Sequence, residues 1–280
     1  GDVLNADLSF GSISITSTNI TYYDSSSNQH TADWADYESV RITQCDYSVQ
    51  STQNNITVTG NPEGGAKITL AGVNIGSYSA ATSAISLVCA NVEITLESGT
   101  GNTLSGSNGY AALSVPFSSS LTITGDGSLT AQSLLPSGGG AAIGGSQNRN
   151  CGDITIDSGV IYAYGRGGGA AIGGGWYDDS AADDPSGSIT INGGYLVLSI
   201  CDPDTNGFSC PALISNAQGN AQPAITINGS TIIADESYNI SDKLCAQGSV
   251  LTINGGNITV TPDSLVVPLN NMGFPVYLNL

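Results

Sequence analysis

The densest run of chemically capable side chains in this sequence is Tyr162, Tyr164, Arg166, Trp176, Tyr177, Asp178, Asp179 and Tyr195. Five of the chain's 18 aromatic residues fall between positions 162 and 195. Aromatic faces stack on the C–H surfaces of sugars, while nearby Asp and Arg side chains exchange hydrogen bonds with hydroxyls. These eight residues form the candidate ligand-binding set, and a glycan is the ligand they suit. The competing reading has Trp176 and Tyr177 simply covering a corner of the fold.

Metal chemistry has two candidate loops. Asp202, Asp204 and Asn206, followed by Gly207, match the first half of a calcium loop, in which alternate residues offer oxygen and a glycine makes the turn. The closing Glu of such a loop is missing, because Leu213 stands in its place. Asp178, Asp179, Asp183 and Asp184 make a second acidic loop that needs only convergent oxygens. Ca²⁺ is therefore the one candidate cofactor, against the plainer reading of two polar turns. The six cysteines are an even number, which fits an oxidising compartment, and Cys201 and Cys210 bracket one loop as the candidate disulfide. Cys89, within Leu87-Val88-Cys89, is expected to be a buried free thiol.

Catalytic constellations are poorer. A Ser-His-Asp triad would rest on the single histidine, His30. A two-carboxylate glycosidase needs only an acid pair across a cleft, and the chain carries 23 Asp and Glu.

Those acids face only 5 Lys and Arg, giving a formal net charge of -18. Nucleic acid and anionic membrane both require basic patches, so neither is expected as a partner. No apolar run approaches the roughly 20 residues of a membrane span, and no signal peptide opens the chain, which reads as a processed or trimmed segment. With 37 Gly, 37 Ser, 24 Thr and 23 Asn among 280 residues, a helical bundle is excluded.

The elements that must position these residues are declared by a repeat. An apolar-Thr-apolar word recurs as Ile68-Thr69-Leu70, Ile94-Thr95-Leu96, Leu121-Thr122-Ile123, Ile154-Thr155-Ile156, Ile189-Thr190-Ile191, Ile225-Thr226-Ile227 and Leu251-Thr252-Ile253. Successive copies lie 26 to 36 residues apart. A second alternating strand follows several copies, with Leu129, Ile161, Leu196, Ile232 and Ile258 opening its apolar face. A third short strand precedes each word, at Ile56, Ile85, Leu113, Ile143, Ile172 and Leu213. Strands this short cannot bury themselves alone and must stack on copies of themselves. Period-two alternation turns both aliphatics of Ile-Thr-Ile inward and the Thr outward, predicting seven Thr in one ladder and Asn192, Asn228 and Asn254 in register at its end.

The expected fold is all-β: a right-handed parallel β-helix with three parallel sheets, about seven rungs and an irregular N-terminal cap. The expected division is residues 1–54 as cap and first strands, 55–262 as β-helix, and 263–280 as C-terminal cap or start of a following segment. Within the cap, residues 31–39 are expected to form a short helix capped by Thr31, with Trp34 and Tyr37 on one side.

The Ile-Thr-Ile-Asn-Gly-Gly word, the Gly-Gly-Gly-Ala-Ala-Ile-Gly-Gly runs and the Asn102-Thr103-Leu104-Ser105-Gly106 turn resemble secreted or wall-associated bacterial β-helix proteins of the pectate-lyase-like superfamily, of the carbohydrate-binding-domain type. The resemblance spans roughly residues 55–262 and is carried by structural words. It implies a secreted or cell-surface bacterial location and a glycan or adhesive role. It also supplies two catalytic templates. The hydrolase type needs a His-Gly and an Arg-Ile-Lys word, and neither occurs. The lyase type needs Ca²⁺ on stacked carboxylates beside a basic residue, for which Arg149 and Arg166 with Asp153 and Asp157 are the available groups. A chain this acidic disfavours the polyanionic substrate. The expected function is a monomeric extracellular glycan-binding or adhesion module without catalysis; a polysaccharide-active enzyme and a structural surface stalk are the alternatives.

Overall fold

The computed structural model describes residues 1–46, 48, 50–76, 81–134, 139–177, 185–201, 212–216, 221–234, 244–245, 249–260 and 276–278. The chain winds as a right-handed parallel β-helix whose three sheets contain 10, 7 and 9 strands. The first is the threonine sheet, and its repeat strands are Ala66–Leu70, Asn91–Leu96, Ser120–Gly125, Asp153–Ile156, Ser188–Ile191, Ala224–Ile227 and Val250–Ile253. Asp2–Asp7 and Tyr37–Thr43 precede them in the same sheet, and Val276–Leu278 follows. At about 4.8 Å per strand, ten strands make a rod of roughly 43 Å.

The second, the tyrosine sheet, stacks Asn74–Ile75, Gly101–Ser107, Ser128–Leu134, Val160–Arg166, Tyr195–Cys201, Thr231–Ala234 and Asn257–Val260. The third holds mostly two- and four-residue strands, from Ile13–Thr16 to Ile214–Ser215.

Inward residues form unbroken columns. Leu4, Val40, Ile68, Ile94, Ile123, Ile156, Ile191, Ile227 and Ile253 stack in parallel register through the threonine sheet. Each fully buried aliphatic contributes about 1.5–3 kcal/mol. Ordering a rung of some 26 residues costs on the order of 30 kcal/mol in backbone entropy alone. A single rung cannot meet that cost; its neighbours make it stable. Asn102 is the one buried amide in the tyrosine sheet's inner columns. It accepts from the backbone N–H groups of Gly72 and Val73 at 3.0 and 3.1 Å and donates to Ser128 O at 3.1 Å, which closes a rung where the strand is still short.

Four expectations need correction. The threonine ladder is not one column of seven. Ile94 pairs with Ile123 and Thr95 with Thr124, so Thr122 lies beside Glu93. Thr69, Thr95 and Thr124 share one column, while Thr122, Thr155, Thr190, Thr226 and Thr252 share the next. A slip of two residues preserves the in–out alternation, so the word Val92-Glu93-Ile94-Thr95-Leu96 fits either register. In the third sheet, Ile172 pairs with Ile214, one residue beyond Leu213. Residues 31–39 are not a helix: strand Gln29–Asp33 leads into a single 3-10 turn, Trp34–Asp36, capped by Asp33 through its acceptance from Ala35 N. Cys89 is exposed, because Val88 already points outward and Cys89 turns the corner at φ 52°.

The N-terminal end is closed by a hairpin. Asn19–Tyr23 pairs antiparallel with both Ile13–Thr16 and Gln29–Asp33, ending the third sheet's parallel stack over buried Ile20 and Trp34. The Ala-Ala-Ile-Gly-Gly words are rung corners. Ile143 and Ile172 enter the core, and a Cβ on Gly144 or Gly173 would come within 1.9 Å of the next rung's carbonyl oxygen.

Candidate functional site

Strand Val160–Arg166 alternates half-buried and buried residues along its whole length. Ile161 and Ala163 fill the core, so Tyr162 and Tyr164 must face outward, with Cα atoms about 6.6 Å apart along the strand. On the next strand Tyr195 pairs with Val160 and Val197 with Tyr162. Tyr195 therefore lies one strand and one outward position from Tyr162, about 8 Å away, and is 40% exposed. The rung beyond adds Ile233 opposite Val197 and Thr231 opposite Tyr195. Three tyrosines and three aliphatics, Val160, Val197 and Ile233, thus share one outward sheet face.

The aliphatics escaped the sequence reading. Their proximity to the tyrosines depends on the pairing register between rungs, which loops of unequal length conceal.

The face is unusual in charge as well. In a chain with 23 acids, the outward positions of this sheet between 101 and 257 carry no Asp, Glu or Lys among the described residues. Its one ionic group is Arg166, at the strand end. Arg166 N donates to Ser133 Oγ at 2.8 Å, and the side chain's Nε is buried without a hydrogen-bond partner among the described residues. One column inward from Arg166, Gln132 pairs with Tyr164, and Gln132 Nε2 donates to Ser105 Oγ at 3.1 Å.

Trp176 and Tyr177 stand apart from this array. Trp176 N donates to Gly139 O at 2.9 Å, and Trp176 O accepts from Asn148 N at 2.8 Å, so two loops of the preceding rung hold its backbone. Its ring lies over Gly168, where φ is +91° and a Cβ would come within 2.6 Å of Trp176 Cδ1. Trp176 thus covers the corner that follows Val160–Arg166. Tyr177 is 8% exposed and presents no open ring face. Asp178, Asp179, Asp202, Asp204, Asn206 and Cys210 lie outside the described residues, as does the side chain of Cys201, so the acidic loops and the candidate disulfide have no geometry to report. Among the described residues no three His, Cys, Asp or Glu side chains converge as a metal site.

The groups a lyase would need are dispersed. Arg166 belongs to the tyrosine sheet, whereas Asp153 and Asp157 belong to or follow the threonine sheet. Asp153 Oδ1 accepts from Ser188 N and Ser188 Oγ, both at 2.8 Å. Asp157 Oδ1 accepts from Asn192 Nδ2 at 2.7 Å; Asn228 Nδ2 donates in turn to Asn192 Oδ1 at 2.7 Å and Asn254 Nδ2 to Asn228 Oδ1 at 2.6 Å. Both carboxylates are occupied as structural acceptors. His30 Nε2 lies 2.9 Å from Asp24 Oδ2 on the exposed hairpin and stacks on Tyr22 with ring centroids 5.4 Å apart. The His30 contact, with hydrogen bonds from Asn28, holds the Asp24 carboxyl well below the usual carboxylate range.

Set beside known proteins, the chain matches no family model, no curated protein and no solved structure. No helix among the described residues is long and apolar enough to cross a membrane.

Proposed function

We propose that the tyrosine face binds a glycan and that the protein acts, as a monomer, as a non-catalytic glycan-binding or adhesion module. The observation that carries this reading is the outward array of Tyr162, Tyr164 and Tyr195 on one rigid sheet. The array is open, so a polymer can lie across it without threading a cavity. The rungs behind it are fully packed, so the strands that carry the rings are fixed before any ligand arrives, which lowers the ordering cost of binding. Val160, Val197 and Ile233 extend the apolar ground under the sugar rings, and Thr130, Gln132 and Arg166 border it with hydrogen-bonding groups. The resemblance of the repeat words to carbohydrate-binding members of the pectate-lyase-like superfamily supports the same reading, together with a secreted or cell-surface bacterial location.

The test is a binding panel of neutral and acidic polysaccharides, with and without Ca²⁺, run on the intact chain and on the Tyr162→Ala/Tyr164→Ala variant. Retention of a polysaccharide by the intact chain, and its loss in the folded variant, is the expected result. Equal retention by both would remove the tyrosine face as the site.

A further inference from the structure

Where the threonine sheet's strands end, one reactive pair of residues recurs on three rungs. Asn192-Gly193, Asn228-Gly229 and Asn254-Gly255 stand in register, and each Asn is exposed to water. We infer that this column is a latent self-modification site: each Asn can close on the glycine that follows it and lose its amide as ammonia, and the hydrogen-bond ladder holds that chemistry back. The inference makes no use of the glycan-binding reading.

The reaction consumes only water. The glycine nitrogen forms a bond to the Asn Cγ and gives up its proton; the Cγ–Nδ2 bond breaks, and the nitrogen departs as ammonia with that proton. Water then opens the cyclic imide at either carbonyl, leaving aspartate or isoaspartate.

Two observations place the reactants. The nucleophile is free, because Gly193 N, Gly229 N and Gly255 N make no hydrogen bond among the described residues. The Asn nitrogens beside them are all taken, donating to Ile156 O, Ile191 O and Ile227 O at 2.8, 2.8 and 2.7 Å. Packing also dictates the glycine, which has no Cβ to shield the neighbouring carboxamide. A Cβ on Gly193 would come within 2.5 Å of Asp157 O, and one on Gly255 within 2.7 Å of Asn228 O. At those rungs the corner itself imposes the labile pair.

The restraint lies in the side chains. Ring closure requires Cγ to swing towards its own main chain, and both ends of the carboxamide resist. Asn192 Nδ2 donates to Asp157 Oδ1 and Asn192 Oδ1 accepts from Asn228 Nδ2, each at 2.7 Å; Asn228 is tied in the same way between Asn192 and Asn254. Each tie is worth roughly a fivefold change in rate. Asn108-Gly109 is the contrast, an exposed Asn in a turn at φ 52° and 88° whose side chain has no hydrogen-bond partner among the described residues. The ladder is also directional. A carboxylate at 228 would still accept from Asn254 but could no longer donate to Asn192, so damage passes one rung at a time towards Asp157.

The experiment is incubation of the intact chain and of Asn228→Asp in heavy-oxygen water at mildly alkaline pH, folded and in urea, with oxygen uptake read by peptide mass spectrometry. In urea, Asn192, Asn228 and Asn108 of the intact chain should convert at similar rates. In the folded chain Asn192 and Asn228 should lag their own urea rates roughly 25-fold, two ties at fivefold each. Folded Asn228→Asp should speed Asn192 roughly fivefold and leave Asn254 and Asn108 unchanged. If Asn228→Asp fails to fold, Asn228→Ala takes its place; it removes a tie on both sides, so Asn192 and Asn254 should both accelerate while Asn108 does not. The inference is overturned by absence of uptake at these pairs in urea, by equal rates folded and unfolded, by an unchanged Asn192 in the folded variant, or by an equal acceleration of Asn108, which would mean general loosening instead of a lost tie.

Discussion

On the threonine sheet several charged and amide side chains are bonded to one another from rung to rung; on the tyrosine sheet the outward face is dominated by tyrosine rings and aliphatics. Asp157, Asn192, Asn228 and Asn254 pass a hydrogen bond from rung to rung, Asp153 is held by Ser188, and Arg41 makes a two-point contact with Glu97 at 2.8 and 2.6 Å. The threonines between them fill two β-branched columns. A ligand approaching this face would have to replace bonds already made. The tyrosine face, built by the same rungs and backed by the same core, presents rings and aliphatics instead and carries no carboxylate among the described residues. Under the proposed glycan-binding role, one fold separates self-adhesion of the scaffold from recognition by assigning each to a different sheet.

The comparison can be broken first at its common foundation. Ile191 sits in the threonine sheet's inner column, within the one core that both sheets cover, and Ile191→Ala should cost about 3 kcal/mol by chemical denaturation, with faster hydrogen exchange in both sheets. If only the threonine sheet loosens, the faces are not backed by one cooperative core. Next in size, Tyr162→Ala should lower glycan affinity by about 2 kcal/mol, roughly 30-fold, at nearly unchanged melting temperature. Thr190→Ala, outward on the other sheet, should leave affinity untouched, and an equal loss from both would erase the division of labour.

Asn228→Ala interrupts the ladder at its middle, leaving Asn254 without its acceptor and Asn192 without its donor. About 1 kcal/mol should be lost in thermal unfolding, with no change in binding.

The smallest effect concerns the Arg41–Glu97 pair. The Arg41 hydrogen bonds hold the Glu97 carboxyl below its ordinary range, so the unfolded chain takes up the proton first as pH falls. The contribution is complete above the ordinary carboxylate range and disappears as pH drops through the depressed folded value. Both side chains are about one-third exposed, so it should stay under about 1 kcal/mol. Arg41→Gln should flatten the melting temperature against pH in that acidic window alone.

What the sequence disclosed and what it hid follow from period two. Alternation alone sends Tyr162, Tyr164 and Tyr195 outward and Ile154, Ile189 and Ile225 inward, because each strand obeys it whatever its neighbour does. Alternation is blind to slips of two, which is why the repeat word alone aligns Thr122 with Thr95, whereas the structure sets it beside Glu93. It is also silent at corners, where Cys89 and Trp34 depend on φ and on capping. The match of Val197 and Ile233 to Tyr162 required the register across loops of unequal length.

The parallel register has a mechanical consequence. Hydrogen bonds between rungs run along the rod, so tension applied to its two ends loads the rungs in series. Each rung can then peel away singly while the next still holds. Some 280 residues drawn out at roughly 3.4 Å each would reach about 950 Å from a rod of roughly 43 Å. A cell or particle held through such a coil would feel a sequence of small yields spread over a long extension, which absorbs work that a stiff link would deliver to its ligand contact all at once.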